Sequence, residues 1–471
     1  SRTLDTGTLT PNGSKDYSIS LWMDKSVTLS DDAQNKLFKS KVVIDAVATE
    51  TAMDKIIASV DTTGKCPTIN SDGTVNVTKE EATDGYVCSA SDAYGTSYYY
   101  RGNVTNNYVK FADKYWRIVR INGDGTVRVI YDGTSAHTNG ESSADRQIGT
   151  SAFNYYWKKD NVQEATNSNV YYDNASVGYM YGNRDTITEA TEYSSSASFT
   201  NTSTYYIAKE YNYDATTDRF TLKDPIAVLG SAMTADYVGY YTFISTSATG
   251  SNSYVYKIFG VTAGDSSASI KYGYVRFGTS SKEVAQTNTN DSTIKTYLDN
   301  WYKTNISGTE NEQYLADNIF CNDRSFSSSN AGTGAGVSKT YYSWASWHAS
   351  KTNLKCPKQN DAFTVSDTTN GNGALTYPIG LITTDEAVLA GGWTSSNNGY
   401  YLYSGSWYWA SSPSYFLGWR ARVVDVYSSG NALDSYNADH PGGVRPVFNL
   451  KTEVLLQGSG TATDPYRIFS D

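Results

Sequence analysis

The sequence predicts an α+β fold that is mostly β, and three observations carry this. Tyrosine stands out, at 41 of 471 residues, and tyrosine and threonine favour the half-buried positions of strands. Short runs alternating apolar and polar residues recur along the chain, separated by Gly, Asn and Asp. Helical periodicity is confined to three short stretches. The length gives room for two to four domains of roughly 150 residues each. Hydrophobic content of 39% and charged content of 18% are both low for a cytosolic enzyme. They suit an extracellular β-rich protein whose polar loops carry binding.

The elements follow in chain order. Residues 17–23 and 38–47 alternate with period two and read as strands. Two or three strands are not stable alone, so this piece must dock on the main body or pair with residues upstream of Ser1. Residues 51–60 read as a short helix with Met53, Ile56, Ile57 and Val60 on one face and Gly64 past its end. Residues 98–131 carry the clearest β signal. Their runs at 108–111, 115–121 and 127–131 predict a three-stranded meander, with Asn122-Gly123-Asp124-Gly125 supplying positive-φ residues for a tight turn. Residues 139–181 read as a long polar and aromatic surface loop with a helical turn. Residues 201–285 form a second β-rich region, with runs at 205–207, 220–222, 239–243, 254–258 and 272–277, and read as an insertion. Residues 291–306 are the strongest helix, capped by Asp291 or Ser292, with Ile294, Tyr297, Leu298 and Trp301 as its apolar stripe. Residues 384–390 form another, with Thr383 and Glu386 spaced as a capping box and Gly391-Gly392 ending it. No period of 20 to 50 residues recurs, which excludes a solenoid.

The four cysteines allow three connectivities. Local pairing, Cys66 with Cys88 and Cys321 with Cys356, is expected, in an oxidising compartment. No Cys-x-x-Cys occurs, so a structural zinc site is not expected. Net charge is −10 with no basic run, so nucleic acid is not an expected partner. The chain has no apolar run long enough to cross a bilayer. It begins at Ser1 inside a polar segment and reads as a mature or trimmed ectodomain.

Residues 401–450 have two layers. Trp407, Tyr408 and Trp409 at one end and Val444, Val447 and Phe448 at the other are strand-like. Between them runs Tyr, Ser, Asn, Asp, Gly and Trp with no burying period. Such aromatics in loop-like sequence are costly to leave wet and point to a partner site. Tyr and Trp give contact area at low rotamer cost, and Ser, Gly and Asn adaptable hydrogen bonds. The candidate binding residues are Tyr401, Tyr403, Tyr415, Phe416, Leu417, Trp419, Arg420, Tyr427, Asn431, Asp434, Tyr436, Asn437, Asp439 and His440. Trp407, Trp409, Val424, Val444, Val447 and Phe448 are expected to be scaffold.

Catalytic signals are weak by comparison. The three histidines are His137, His348 and His440. The first two are expected to be exposed or packed on aromatics, and His440 to serve contact. No Gly-x-Ser-x-Gly, His-Glu-x-x-His or Gly-x-x-x-x-Gly-Lys occurs. Gly332-Thr333-Gly334-Ala335-Gly336 follows no strand and reads as a flexible turn. The calcium-dependent sugar motifs Glu-Pro-Asn and Gln-Pro-Asp are absent. No cofactor is expected, although calcium stays open because carboxyl and carbonyl oxygens are abundant.

Trp409-Ala410-Ser411-Ser412-Pro413, Arg422-Val423-Val424 and Gly443-Val444-Arg445-Pro446-Val447 resemble the C-terminal region of C-type-lectin-fold proteins. That group includes formylglycine-generating-enzyme-like domains and the variable proteins of diversity-generating retroelements. A longer resemblance, to surface proteins of gut-dwelling Gram-positive bacteria, runs through Tyr108-Val109-Lys110-Phe111, Trp116-Arg117-Ile118-Val119-Arg120-Ile121-Asn122-Gly123-Asp124-Gly125, Val177-Gly178-Tyr179-Met180-Tyr181-Gly182, Cys321-Asn322-Asp323-Arg324 and Gly380-Leu381-Ile382-Thr383. It covers most of the chain after about Tyr94. The N-terminal piece resembles the end of pilin-like or biofilm-matrix β-sandwiches.

The resemblance implies a C-type-lectin-like domain in two halves, 61–200 and 286–471, around the insertion at 201–285, behind a small N-terminal segment at 1–60. It implies a non-catalytic adhesin at the cell surface, with a hypervariable region at 401–450 that binds a protein or glycan. Formylglycine-generating enzymes use cysteines near the C-terminal sheet, and none follows Cys356 here, so their oxidase activity is not carried over. The competing expectation is a pilus-type structural subunit that self-associates through its N-terminal strands.

Overall fold

The computed structural model describes residues 52–77, 84–154, 187–189, 195–214, 216–217, 219–247, 250–252, 254–277, 288, 291–325, 351–393, 396–416, 421–432, 434–451 and 455–468. The N-terminal strand candidates, Val177–Gly182, Gly332–Gly336, His348, Leu417, Trp419 and Arg420 lie outside them. The fold is α+β and mostly β.

The predicted meander founds the largest sheet. Tyr108–Phe111 pairs with Lys114–Ile121, which pairs with Val127–Gly133. Asn122 to Gly125 closes the second hairpin: Gly125 adopts φ +87°, and Asn122 N–H donates to Thr126 O at 2.8 Å. The first hairpin is tighter. Ala112 and Asp113 both sit in the left-handed region, at φ +51° and +57°, the conformation a two-residue turn needs between twisted strands. No glycine marked it in the sequence. The chain's end completes the sheet, with Val447–Leu450 antiparallel to Val127–Gly133 and Tyr466–Ile468 parallel to Tyr108–Phe111.

A second, five-stranded sheet runs in the order Asp434–Asn437, Ala421–Val426, Tyr408–Phe416, Pro441–Gly443, Thr150–Ala152. Pro413 sits where the register of Tyr408–Phe416 shifts, a place where a missing N–H is tolerated. Both sheets share one core. Its centre is aromatic: Trp116 packs on Phe448 at 5.0 Å and Tyr131 at 5.4 Å. Trp301 closes over Phe448 from the helix Thr293–Asn305. That helix buries Ile294, Leu298 and Tyr302, and Ser292 Oγ caps it by accepting from Lys295 N–H. The short helix Ala52–Ala58 buries Met53 and Ile56 in the same core and leaves Ile57 more than a third exposed.

Residues 187–277 build a separate seven-stranded sheet, and among the described residues its strands pair only with one another. It starts before residue 201, because Ser195–Thr200 pairs along its whole length with Ser267–Phe277. One large apolar residue, Phe199, in a run of Ser, Ala and Thr gave no strand signal, yet it stacks on Tyr205 at 3.8 Å. The flanking chain meets across the insertion, with Thr150–Ala152 beside Pro441–Gly443. Both expected disulfides are present, Cys66–Cys88 and Cys321–Cys356. No described helix is long and apolar enough to cross a membrane.

Candidate ligand-binding face

The scaffold under residues 401–450 is dry. Trp409, Val423, Val424, Val444, Val447 and Phe448 are fully buried. Trp409 Nε1 donates to Ser151 O at 2.9 Å, which ties the C-terminal sheet to the strand Thr150–Ala152. The Gly443-Val444-Arg445-Pro446-Val447 run owes its arginine to a buried junction. Arg445 donates to Tyr131 O at 2.9 Å, Leu402 O at 3.1 Å and Asp132 Oδ1 at 2.7 Å. Arg146 shares the same carboxylate oxygen at 2.7 Å, and Arg117 lies 3.7 Å from the other. Gly442 is fixed by packing, since a Cβ there would run into the rings of Trp407 and Trp409.

Above this floor stands an aromatic group. Tyr436 and His440 meet edge to face at 4.4 Å. Trp407, expected to be scaffold, is instead only half-buried on Trp409, and lies 5.6 Å from Tyr436 and 5.7 Å from His440. Arg422 Cζ is 6.0 Å from the Tyr436 ring. Tyr436 is 38% exposed, His440 is exposed, and Asn437 and Asp439 beside them are half-buried. Tyr427, 40% exposed, and half-buried Asn431 close a turn through a Tyr427 N–H to Asn431 O bond of 2.7 Å. The register pairs Arg422 with Asn437 and Asp425 with Asp434, so that turn sits at the other end of the hairpin from the Tyr436 group.

Four expectations change here. Tyr401 is fully buried, 5.5 Å beneath the Arg117 guanidinium, so it is core and not a contact residue. Tyr403 is half-buried and its carbonyl accepts from Gly140 N–H. The stretch that looked loop-like is strand at Tyr415, Phe416, Asp434 and Tyr436. Polar residues broke the visible alternation because Ser411, Ser412 and Ser414 are buried in it. Ser411 Oγ donates to Cys321 O at 2.8 Å. His137 is neither exposed nor stacked. It is 5% exposed, with Nδ1 2.8 Å from Glu141 Oε1 and Nε2 2.9 Å from Asp145 Oδ1.

A charged cleft of about 130 Å³ brings together residues that no local motif connects. Its floor is a buried network in which Arg120 bridges Asp92 at 2.8 Å and Glu386 at 3.0 Å, and Arg128 reaches Glu386 at 2.6 Å. Asp323 and Asp385 also line it. Burial, then the charges of Asp323 and Glu386, pushes Asp385 up to about 7. Burial likewise raises Asp323. The capping box was legible, and Glu386 does accept from Thr383 N–H, but its second role as counter-ion to two arginines comes from residues far away in sequence. Among the described residues, no group of three or more His, Cys, Asp or Glu side chains is placed to hold a metal ion.

These groups set a pH dependence. Burial lowers the His137 pKa, but its hydrogen bonds to Glu141 and Asp145 outweigh that and leave it raised. A raised folded-state pKa means stability present below the unfolded pKa and lost as pH rises through the folded one. For Asp385 the loss falls between about 4 and 7, and for His137 it falls above the free-imidazole value. Glu141 and Asp145 are lowered, so they act oppositely, losing stability only in acid. Melting temperature is therefore expected to fall between about pH 5 and pH 8, by on the order of 1–3 kcal/mol in stability. The Asp385→Asn variant should flatten the acid half of that slope. A melting temperature that rises steadily to pH 8 is the contrary result.

No family model, curated protein or solved structure matches this chain.

Proposed function

We propose that this chain is an extracellular, non-catalytic ligand-binding protein. Its C-terminal region, on a C-type-lectin-like scaffold, presents Trp407, Tyr436 and His440 with Arg422, Asn437 and Asp439 to a protein or glycan at a cell surface. One observation carries the reading: three aromatic rings touch one another at the surface of a sheet whose inward residues are dry. Large aromatics with an arginine beside them are the side chains that dominate binding energy at interfaces. Two disulfides support an oxidising compartment. The same division of labour lets surface residues change without disturbing the floor, so we propose that residues 401–450 are diversified between isolates.

The test compares the wild type with Tyr436→Ala/His440→Ala on an array of immobilised glycans and a panel of extracellular protein domains. Wild-type binding should weaken by roughly 30-fold or more, the effect of losing a hot spot, while melting is unchanged. Retained binding, or a large drop in melting temperature, would sink the proposal. Aligned sequences of the same locus from related isolates should differ mainly within 401–450.

A further inference from the structure

The inserted sheet ends in an apolar strand whose outer side is unpaired among the described residues. Ile226–Leu229 is the last strand in the order, paired only with Thr204–Ala208 among the described residues. Val228 turns into the insertion's core, whereas Ile226 is 46% and Leu229 49% exposed. The backbone facing is fixed by the ladder. Gly230 N–H donates to Ser203 O at 2.9 Å, and antiparallel bonded pairs recur at every second residue. Val228 and Ile226 therefore bond inward, and Ala227 and Leu229 turn their N–H and C=O groups outward. An outward row of backbone donors and acceptors is a template for another strand, whatever its side chains.

We infer that this edge pairs with the same edge of a second copy, making a two-fold dimer with a sheet continuous across it. Length selects this occupant. Asp224, at φ +49°, and Pro225 end the strand on one side, and the 3₁₀ turn Gly230–Ala232 ends it on the other. A long foreign strand would overhang both stops, while a second copy has the same length. With the two-fold axis at Val228, Ala227 of each copy faces Leu229 of the other. Each such pair exchanges both of its hydrogen bonds, and each exposed leucine covers a neighbour's alanine. The same symmetry sends Lys223 and Asp224 toward the partner copy's neutral Gly230–Ala232 turn, so no like charges meet. A groove of about 350 Å³ lies beside Ile226, walled by Lys209, Glu210, Lys223 and Tyr240. Contact this short belongs to weak, transient association, so the dimer forms and dissolves with concentration.

Sedimentation equilibrium on the full chain, from low-micromolar to several hundred micromolar, should show average mass rising above 51.6 kDa toward twice that value. Hydrogen exchange over the same range should slow at Ala227 and Leu229 while Val228 stays protected throughout. Ala227→Pro removes only an outward donor, which an edge strand tolerates, and Leu229→Lys places a charge on the edge. Each should hold the mass at 51.6 kDa, with melting unchanged. If Ala227→Pro alone lowers melting, Leu229→Lys decides. A wild type that stays monomeric throughout, or a dimer that survives Leu229→Lys, overturns the inference.

Discussion

Replacing Asp132 by Ala is expected to destabilise the protein by about 3–5 kcal/mol, the cost of stranding a buried charge. Asp132, Arg117, Arg146 and Arg445 are all fully buried. One carboxylate thus serves three guanidinium groups, two of them at 2.7 Å. The surplus positive charge is met by carbonyl oxygens and by ring faces. Arg117 lies 3.9 Å over Tyr108, and Arg445 4.7 Å over Tyr408. Rings and carbonyls offset part of a cation's desolvation, but without Asp132 no ionised partner remains in the group. Urea denaturation followed by tryptophan fluorescence measures the loss. Adding Arg445→Met to Asp132→Ala should recover part of it, because one stranded cation is gone. A loss below about 1 kcal/mol would mean that water reaches the arginines.

Trp409→Ala is expected to cost about 3–5 kcal/mol as well, through a cavity and a stranded acceptor. Trp409 is fully buried, packs on Phe153 at 5.8 Å and supports Trp407 at 5.1 Å. Tyr436→Ala, one ring further out, is expected to change stability by less than about 0.5 kcal/mol. Thermal melts of the two variants side by side test whether floor and surface are separate. Equal losses would place Tyr436 in the core and remove the basis for a binding face.

Within residues 401–450, a side chain's own apolar character was enough to predict burial at the strand positions. Trp409, Val424, Val444, Val447 and Phe448 are buried, as their strand-like context predicts. Aromatic density, by contrast, does not say inside or outside. Tyr401 and Tyr436 both stand in Tyr/Ser/Gly-rich sequence, yet one is fully buried and the other 38% exposed. What separates them is Arg117, nearly three hundred residues upstream, whose guanidinium roofs Tyr401. The hairpin turn at Ala112 and Asp113 carries no glycine for a related reason: strand pairing imposes a left-handed conformation that Ala112 by itself disfavours.

The sequence by itself determined the local elements: the meander, a helix cap at Asp291 or Ser292, the capping box at Thr383 and the apolar floor strands. These depend on spacing and on side chains within a few residues of one another, which a linear pattern records. Tertiary structure alone decided the Asp132 junction, the Glu386 network, the raised carboxyl of Asp385 and the edge at Ile226–Leu229, unpaired among the described residues. Each depends on which distant groups are brought together, or left unpaired, once the sheets close. Charge burial and backbone pairing are set by three-dimensional neighbours, and no local pattern encodes them.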